Sequence, residues 1–513
     1  MTSGSRPLLA LGDDVVTAAE LDDRVGRAAA ALRAAGVQPG DSTAVMVRND
    51  LAWYEANLAA EILGALPVQV NWHSTDDEVL YVLKDAGVKV LVANPDFIER
   101  LAPNLPSDVT VVQVEPHPEV VRAYKLQLAP VPGVPHWRDW TAWPEAVAKS
   151  YEVPDEMQAP RVISYTSGST GRPKGVRRIP RAINMDAAKQ VAGLLGLPAP
   201  TRRGVVVSPL YHTAPASQAL TTVKSGGFQT IMPRFDPVEL LALVERHRVN
   251  FLMLVPTMMV RMLALTEDER TRYDLSSLVK VVHGAGPCPV SVKERVIAWL
   301  GPIVGEYYGG TEAGCATFAT SADALAHPGT VGRAVPGVHL RILDEHGHEV
   351  PVGEIGEIFI KTEIFDDFEY IGNSAGRAEV GRDGFVTQGD LGYLDRDGYL
   401  FLAGRAREMV VCGGVNIYTI EIENILARLP GVALAAAFAV PDAELGEAVG
   451  VAVELDGTRE VGADDIRAYV REELGGLKVP AVVEFVDYLT RSDVGKVFKR
   501  AIAAKYWPVG APA

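Results

Sequence analysis

Through the first third of the chain, apolar positions fall by turns at a helical and at a strand spacing. Leu21, Val25, Ala28, Ala29 and Leu32 share one face of a 3.6-residue turn. They follow Thr17-Ala18-Ala19-Glu20, a capping box whose two side chains satisfy each other's free N–H groups. Gly36 supplies the stop. Ala44-Val45-Met46-Val47 then predicts a strand, 53–63 a helix, Pro67-Val68-Gln69-Val70 a strand, and 88–93 and 109–114 two more short apolar runs. Such βα alternation implies a parallel sheet covered by helices.

Residues 115–150, rich in Pro and Trp (Trp137, Trp140, Trp143), read as an irregular insertion. The βα pattern resumes from 162 to about 304. From 327 to 402 the chain is Gly-rich with short strands, among them 338–343 and 357–360, as in a small barrel-like β region. After Arg405 a helix near 421–429, strands at 435–440 and 449–453, a helix at 464–474 and a strand at 482–486 make a compact α+β unit. At roughly 100 residues this is an ordinary size for a separate domain. The expected fold is therefore α/β: a large N-terminal domain of helix-covered sheets plus a small β-barrel region, residues 1–406, with a small α+β C-terminal domain, 407–513.

Composition narrows the function classes. A chain of 513 residues is too long for one core. Its formal charge of −16 disfavours nucleic acid as a general partner, yet a local site can still attract a small anion. Cys288, Cys315 and Cys412 are odd in number and far apart, with neither a disulfide nor a zinc pattern. The N-terminus is too acidic, with Asp13 and Asp14 after a short apolar stretch, for a signal peptide. No run reaches the length of a membrane span and no internal repeat is visible. A cytoplasmic enzyme, monomer or homodimer, is expected.

The chemistry is concentrated first in Ser164-Tyr165-Thr166-Ser167-Gly168-Ser169-Thr170-Gly171-Arg172-Pro173-Lys174-Gly175. Glycines let successive N–H groups turn toward one anion. The hydroxyls of Thr166, Ser167, Ser169 and Thr170 add donors, and Lys174 a mobile positive charge. A Walker loop needs Gly-Lys-Ser/Thr leading straight into a helix; here Pro173 precedes the lysine and Gly175 follows it, which predicts a lysine on a turn. A Gly-Ser surface linker is the bland alternative, but the run follows a predicted strand and does not repeat. The run resembles the phosphate loop of the adenylate-forming superfamily of acyl- and aryl-CoA synthetases, luciferases and peptide-adenylating domains.

Further motifs in the same order carry the resemblance over about residues 10–505. Tyr307-Tyr308-Gly309-Gly310-Thr311-Glu312 is similar to the superfamily's Tyr-Gly-x-Thr-Glu segment. There an aromatic can stack on a purine, Thr311 can donate to phosphate, and Glu312 offers a hard oxygen to Mg²⁺. His283-Gly284-Ala285-Gly286-Pro287 resembles the small-residue segment against which adenine and the acyl group lie. Asp390 in Gly389-Asp390-Leu391-Gly392, with Arg405, resembles the ribose site, where a carboxylate accepts both hydroxyls. Cys412-Gly413-Gly414-Val415-Asn416 resembles the loop that admits the pantetheine arm of CoA. Most relatives have proline where Thr419 stands; threonine can still cap the following helix. The resemblance places a hinge at Arg407 and the adenylation lysine at Lys496 of Gly495-Lys496, leaving Lys499 and Arg500 as a solvated basic tail. Ser208 to Pro215 resembles the aromatic/His segment of the acyl pocket, with His212 lining the carboxylate site. Taken alone, each of these is as well explained by a strand-end turn or a surface residue; their order is what argues for a site.

The resemblance thus implies an enzyme that joins a carboxylic acid to ATP as acyl-adenylate, with Mg²⁺, and then to CoA. The catalytic set would be Lys496, Thr166, Thr311, Glu312 and His212. Nucleotide contacts would come from Thr166 to Gly171, Lys174, Gly284 to Gly286, Tyr308, Gly309, Thr311, Asp390, Arg405 and Lys496, and metal oxygens from Thr166 and Glu312. Tyr211, His212, His283, Gly310 and Cys315 would line an acyl pocket. These segments are apolar or small, without an arginine for a second carboxylate, which suits a hydrophobic monocarboxylic acid: aryl, steroid-like or medium-chain fatty. The rival is another adenylate-forming enzyme, above all an amide-bond synthetase. The chain ends soon after the lysine motif, so loading of a carrier domain in cis is not expected. A catalytically dead binding protein would have lost Lys496 or Glu312.

Overall fold

The computed structural model describes residues 5–135, 162–166, 173–196, 200–491 and 497–507. They group into two units, the first built mainly from the chain before Leu254, the second mainly from His283–Thr362 and Gly381 onward.

In the first unit the capping signals act as the sequence predicts. Thr17 and Glu20 exchange hydrogen bonds at the start of helix Ala18–Ala34, whose buried face is Leu21, Val25, Ala28, Ala29 and Leu32. Thr75 and Glu78 do the same for helix Asp76–Asp85. Strand Ser42–Met46 lies between Leu66–Gln69 and Val88–Ala93, all parallel. Ile163–Thr166 continues this sheet in parallel beside Leu66–Gln69 and turns it antiparallel through Lys174–Ile179 and Asp367–Tyr370. A second group centres on Arg203–Val206, flanked in parallel by Phe228–Ile231 and Phe251–Leu254. Aliphatic side chains of helices Ala18–Ala34, Leu51–Ile62 and Thr213–Lys224 bury the core of this unit; each large side chain so buried contributes about 1.5–3 kcal/mol. Two expectations change. Residues 118–124 form a helix, with Pro118 in its first turn and Val120 buried, because proline suits the one position where its missing N–H costs nothing. The Trp-rich stretch beyond 135 lies outside the described residues. Lys174 opens a strand instead of occupying a turn.

The second unit carries an antiparallel run of strands, with Val304–Gly310 and Gly314–Ala319 as one hairpin and Phe385–Leu394 and Tyr399–Arg405 as another. Between the latter two, Asp395 closes the predicted turn by accepting from the N–H groups of Asp397 and Tyr399. Further along, Gly446–Leu455 is the centre of a small sheet, paired antiparallel with Val432–Asp442 and parallel with Val482–Val486. Helices Thr419–Leu426 and Ala463–Leu474 bury Ile422, Leu426, Ile466 and Val470 against it. Among the described residues no helix is long and apolar enough to cross a membrane.

Candidate active site

The two flanks of the glycine- and hydroxyl-rich run meet in the first unit. Thr166 pairs with Lys174, and Tyr165 with Gly175, across adjacent antiparallel strands. Ser167, Gly168, Ser169, Thr170 and Gly171 lie outside the described residues. Gly175 is dictated by close approach, since a Cβ there would stand 2.7 Å from the Tyr165 ring. The Tyr165 hydroxyl donates to Asp85 at 2.8 Å. Lys174 Nζ stands 5.0 Å from the centroid of Tyr370. Tyr211 and His212 precede helix Thr213–Lys224, their rings 4.4 Å apart. Tyr211 meets Trp72 edge-on at 5.8 Å. Their segment is pinned from outside: Asn49 donates to Ser208 O at 3.0 Å and accepts from Leu210 N at 2.9 Å.

In the second unit three expected nucleotide residues come together. Asp390 and Arg405 are cross-strand neighbours, with Arg405 Nε 3.1 Å from Asp390 Oδ1. Tyr308 Oη donates to the other oxygen, Oδ2, at 2.9 Å. Burial, and Asp390 beside it, push the Tyr308 phenol well above its usual range, so it remains a donor. Asp390 is thus held from both sides and keeps further lone pairs on each oxygen, enough to accept from a pair of adjacent hydroxyls. Thr311 and Glu312 occupy the turn of the Val304–Gly310/Gly314–Ala319 hairpin, both half-buried. Gly309 is sterically required, since a Cβ there would lie 1.9 Å from the backbone oxygen of Gly314, while one on Gly310 would have to displace the Gln388 side chain, whose Oε1 it would approach to 1.8 Å.

His283 ends strand Lys280–His283 and is 1% exposed. Its Nδ1 lies 4.0 Å from Glu306, which pairs with buried Lys293 at 2.6 Å. Burial lowers the imidazole pKa and keeps it neutral. Gly284 packs its backbone on Tyr307, and the exposed Ala285 holds φ +68°, a left-handed conformation for a residue with a Cβ. Such strain costs about 1–3 kcal/mol and gathers at ligand clamps. Cys315 is buried and its thiol is pushed up to about 12 by burial, which makes it a poor nucleophile.

Residues 2–364 match the family model described as AMP-binding enzyme, and residues 421–496 the one described as AMP-binding enzyme C-terminal domain. The chain belongs to this family. It is an enzyme of the ligase class, among the acyl- and aryl-CoA synthetases of the adenylate-forming superfamily. A feruloyl-CoA synthase from an Amycolatopsis species is 33% identical, over 96% of this chain and 95% of that protein. A medium/long-chain-fatty-acid–CoA ligase from Mycobacterium tuberculosis is 30% identical, over 98% and 88%. Among solved structures, the amide bond synthetase McbA from Marinactinospora thermotolerans superposes with a TM-score of 0.83 at 26% identity, over 98% of both chains.

The C-terminal part of this AMP-binding enzyme departs from expectation in two places. Thr419 is the first residue of its helix and does not cap it; the cap position is Tyr418. The buried Thr419 hydroxyl instead accepts from Lys499 Nζ at 3.1 Å. Lys499 is no solvated tail residue: its side chain is 16% exposed and pairs with Glu423 at 2.6 Å and Glu408 at 3.2 Å. Arg407 sits in the single 3₁₀ turn Ala406–Glu408. Gly413 and Gly414 both have positive φ, as the two-residue turn joining Val410–Cys412 to Val415–Ile417 requires. Lys496 lies outside the described residues; Arg491 and Val497, on either side of 492–496, form an antiparallel bridge. Asn49, Trp72, Gln388 and the Tyr308–Asp390 bond are contacts around the candidate residues that the sequence did not reveal. Their partners are remote in the chain, 82 residues apart for Tyr308 and Asp390, and no local pattern marks them.

Proposed function

We propose that the enzyme activates a hydrophobic monocarboxylic acid (aryl, steroid-like or medium-chain fatty) with ATP and transfers the acyl group to CoA, releasing AMP and pyrophosphate. The observation that carries this is the Asp390 carboxylate, fixed by Tyr308 and Arg405 and left able to accept a pair of ribose hydroxyls. Relatives named for feruloyl-CoA and for medium- and long-chain fatty acids support an apolar acyl group.

In this reading the acid's carboxylate attacks the α-phosphorus of ATP, and pyrophosphate leaves. Thr166, Ser167, Gly168, Ser169, Thr170, Gly171 and Lys174 hold the phosphates. Thr311 and Lys496 face the charge that develops on the phosphoryl oxygens; such fixed donors typically supply the largest share of rate enhancement. Tyr308, Gly309 and the backbone of Gly284, Ala285 and Gly286 flank adenine, while Tyr211, His212, His283, Gly310 and Cys315 bound the acyl group. Glu312, at a hairpin tip, and Thr166 provide the hard oxygens that suit Mg²⁺, which would neutralise phosphate charge. The C-terminal domain, from 407, then turns about Arg407, withdraws Lys496 and brings in the Gly413-Gly414 turn, past which the CoA thiol attacks the acyl carbon and AMP leaves.

Pyrophosphate release measured across a panel of acids, with and without CoA, tests the reading. Aryl or medium-chain acids should stand out, and a preference for dicarboxylic acids would overturn the substrate class. The similarity to McbA favours one second reading, amide synthesis from the same adenylate. Mass spectrometry with CoA or a simple amine separates them: amide made readily while CoA goes unused would establish the second.

A further inference from the structure

Lys499 bridges two carboxylates and a hydroxyl in the C-terminal region, and nothing in the proposed chemistry uses it. Its ammonium has three donors, and each finds an oxygen: Glu423 Oε1 at 2.6 Å, Thr419 Oγ1 at 3.1 Å and Glu408 Oε2 at 3.2 Å. Glu423 Oε1 also accepts from Ala437 N at 2.8 Å, which ties the cluster to strand Val432–Asp442. Burial opposes the charged form, but Glu423 and then Glu408 outweigh it and hold the pKa above its ordinary value. The cluster therefore joins four stretches: the 3₁₀ turn at 406–408, the helix that follows the glycine turn, the sheet, and helix Lys499–Ala503, which begins three residues past Lys496.

The position of Glu408 gives the cluster a consequence. Glu408 is the residue directly after Arg407. A backbone rotation at 407 carries everything beyond it, Glu408 and Lys499 together, so their ion pair survives the turn. A rotation about ψ of 408 would instead leave the Glu408 side chain with the preceding backbone and carry Lys499 away from it. We propose that Lys499 is a positioning residue that latches Glu408 to the C-terminal domain and so confines the pivot to Arg407. The proposal rests on the two-step adenylating reading of the enzyme.

The latch predicts a gain of function. Arg407→Pro fixes φ at the pivot and should cut acyl transfer. Adding Glu408→Ala, which leaves Lys499 paired with Glu423 and Thr419, frees the next residue to turn. The double variant should regain transfer by on the order of tenfold over Arg407→Pro alone, the scale of coupling between contacting residues. Arg407→Pro with Lys499→Met should behave alike, and Arg407→Pro with Lys499→Arg should show no gain. Acid-dependent ATP–pyrophosphate exchange reports the first step, acyl transfer from synthetic acyl-adenylate the second, and thermal melts the fold. A purely structural Lys499 would only deepen the defect, so double variants no faster than Arg407→Pro overturn the latch. A parent enzyme that forms amide and no thioester overturns the CoA reading alone, and the latch is then scored on amide formation. A parent enzyme without pyrophosphate exchange overturns both.

Discussion

Replacing Tyr308 by phenylalanine removes one oxygen and leaves the ring. The lost bond is a phenol donating to a carboxylate at 2.9 Å, with Asp390 only 14% exposed, so water replaces it poorly. Hydrogen bonds to charged groups are worth about 1.5–3 kcal/mol. If Asp390 binds ribose, that energy appears in nucleotide affinity, because a carboxylate held by Arg405 alone must be re-ordered each time the hydroxyls arrive. A loss near the lower end corresponds to roughly a tenfold rise in the KM for ATP. Turnover at saturating ATP should change much less, since the ring and the phosphate contacts remain. Pyrophosphate release measured against ATP concentration, at saturating acid, gives both numbers. Asp390→Asn and the double variant complete a cycle in which the two losses should be strongly non-additive. A Tyr308→Phe enzyme whose KM for ATP stays within about twofold of the parent, below the ~1.5 kcal/mol expected for such a bond, would refute the ribose-clamp reasoning.

Lys496→Ala should abolish acyl-adenylate formation, by on the order of 100-fold or more, yet spare thioester formation from synthetic acyl-adenylate; equal loss of both steps, read by rapid quench, would mean the lysine is misassigned. Glu312→Gln should raise the Mg²⁺ concentration needed for half-maximal activity, because an amide is a poorer ligand for a hard cation, and an unchanged Mg²⁺ titration would remove Glu312 from the metal. Asp50, buried and accepting from His117 N at 2.7 Å, has its pKa raised to about 6, chiefly by burial. Its native carboxyl holds a proton that the unfolded chain has lost above about 4, so this group costs stability as pH rises from there to 6, by up to ~3 kcal/mol. Asp50→Asn, whose amide oxygen can still accept from His117, should therefore raise Tm at pH 7–8 and have little effect near pH 4; melts showing the opposite trend would contradict that sign.

The motif ladder was legible because each motif is local: a capping box, a glycine pair at a turn, or a Tyr-Gly-x-Thr-Glu run needs only its neighbours to have meaning. The helix at 118–124 was hidden by composition, as proline counts against helices everywhere except in the first turn. Thr419 and Lys499 were misread together and for one reason. Each looked like an end, a cap and a tail, but the fold brings Lys499 to two carboxylates remote from it in the chain, Glu423 and Glu408, and so to the Thr419 hydroxyl one helical turn before Glu423. The same holds for the Lys293–Glu306 pair beside His283, in which no residue stands near its partner in a recognisable pattern.

The burial of Cys315 bears on how such an enzyme avoids modifying itself. An acyl-adenylate is an electrophile made to meet a thiol, and any protein thiolate within reach would compete with CoA for it. With its pKa at about 12, Cys315 is ionised in roughly one molecule in 10⁵ at pH 7, some three thousand times less than a free thiol. Cys412 is buried as well, and Cys288 is raised further still by burial. A thiol kept protonated in this way competes poorly with a diffusible acceptor for an activated acyl group.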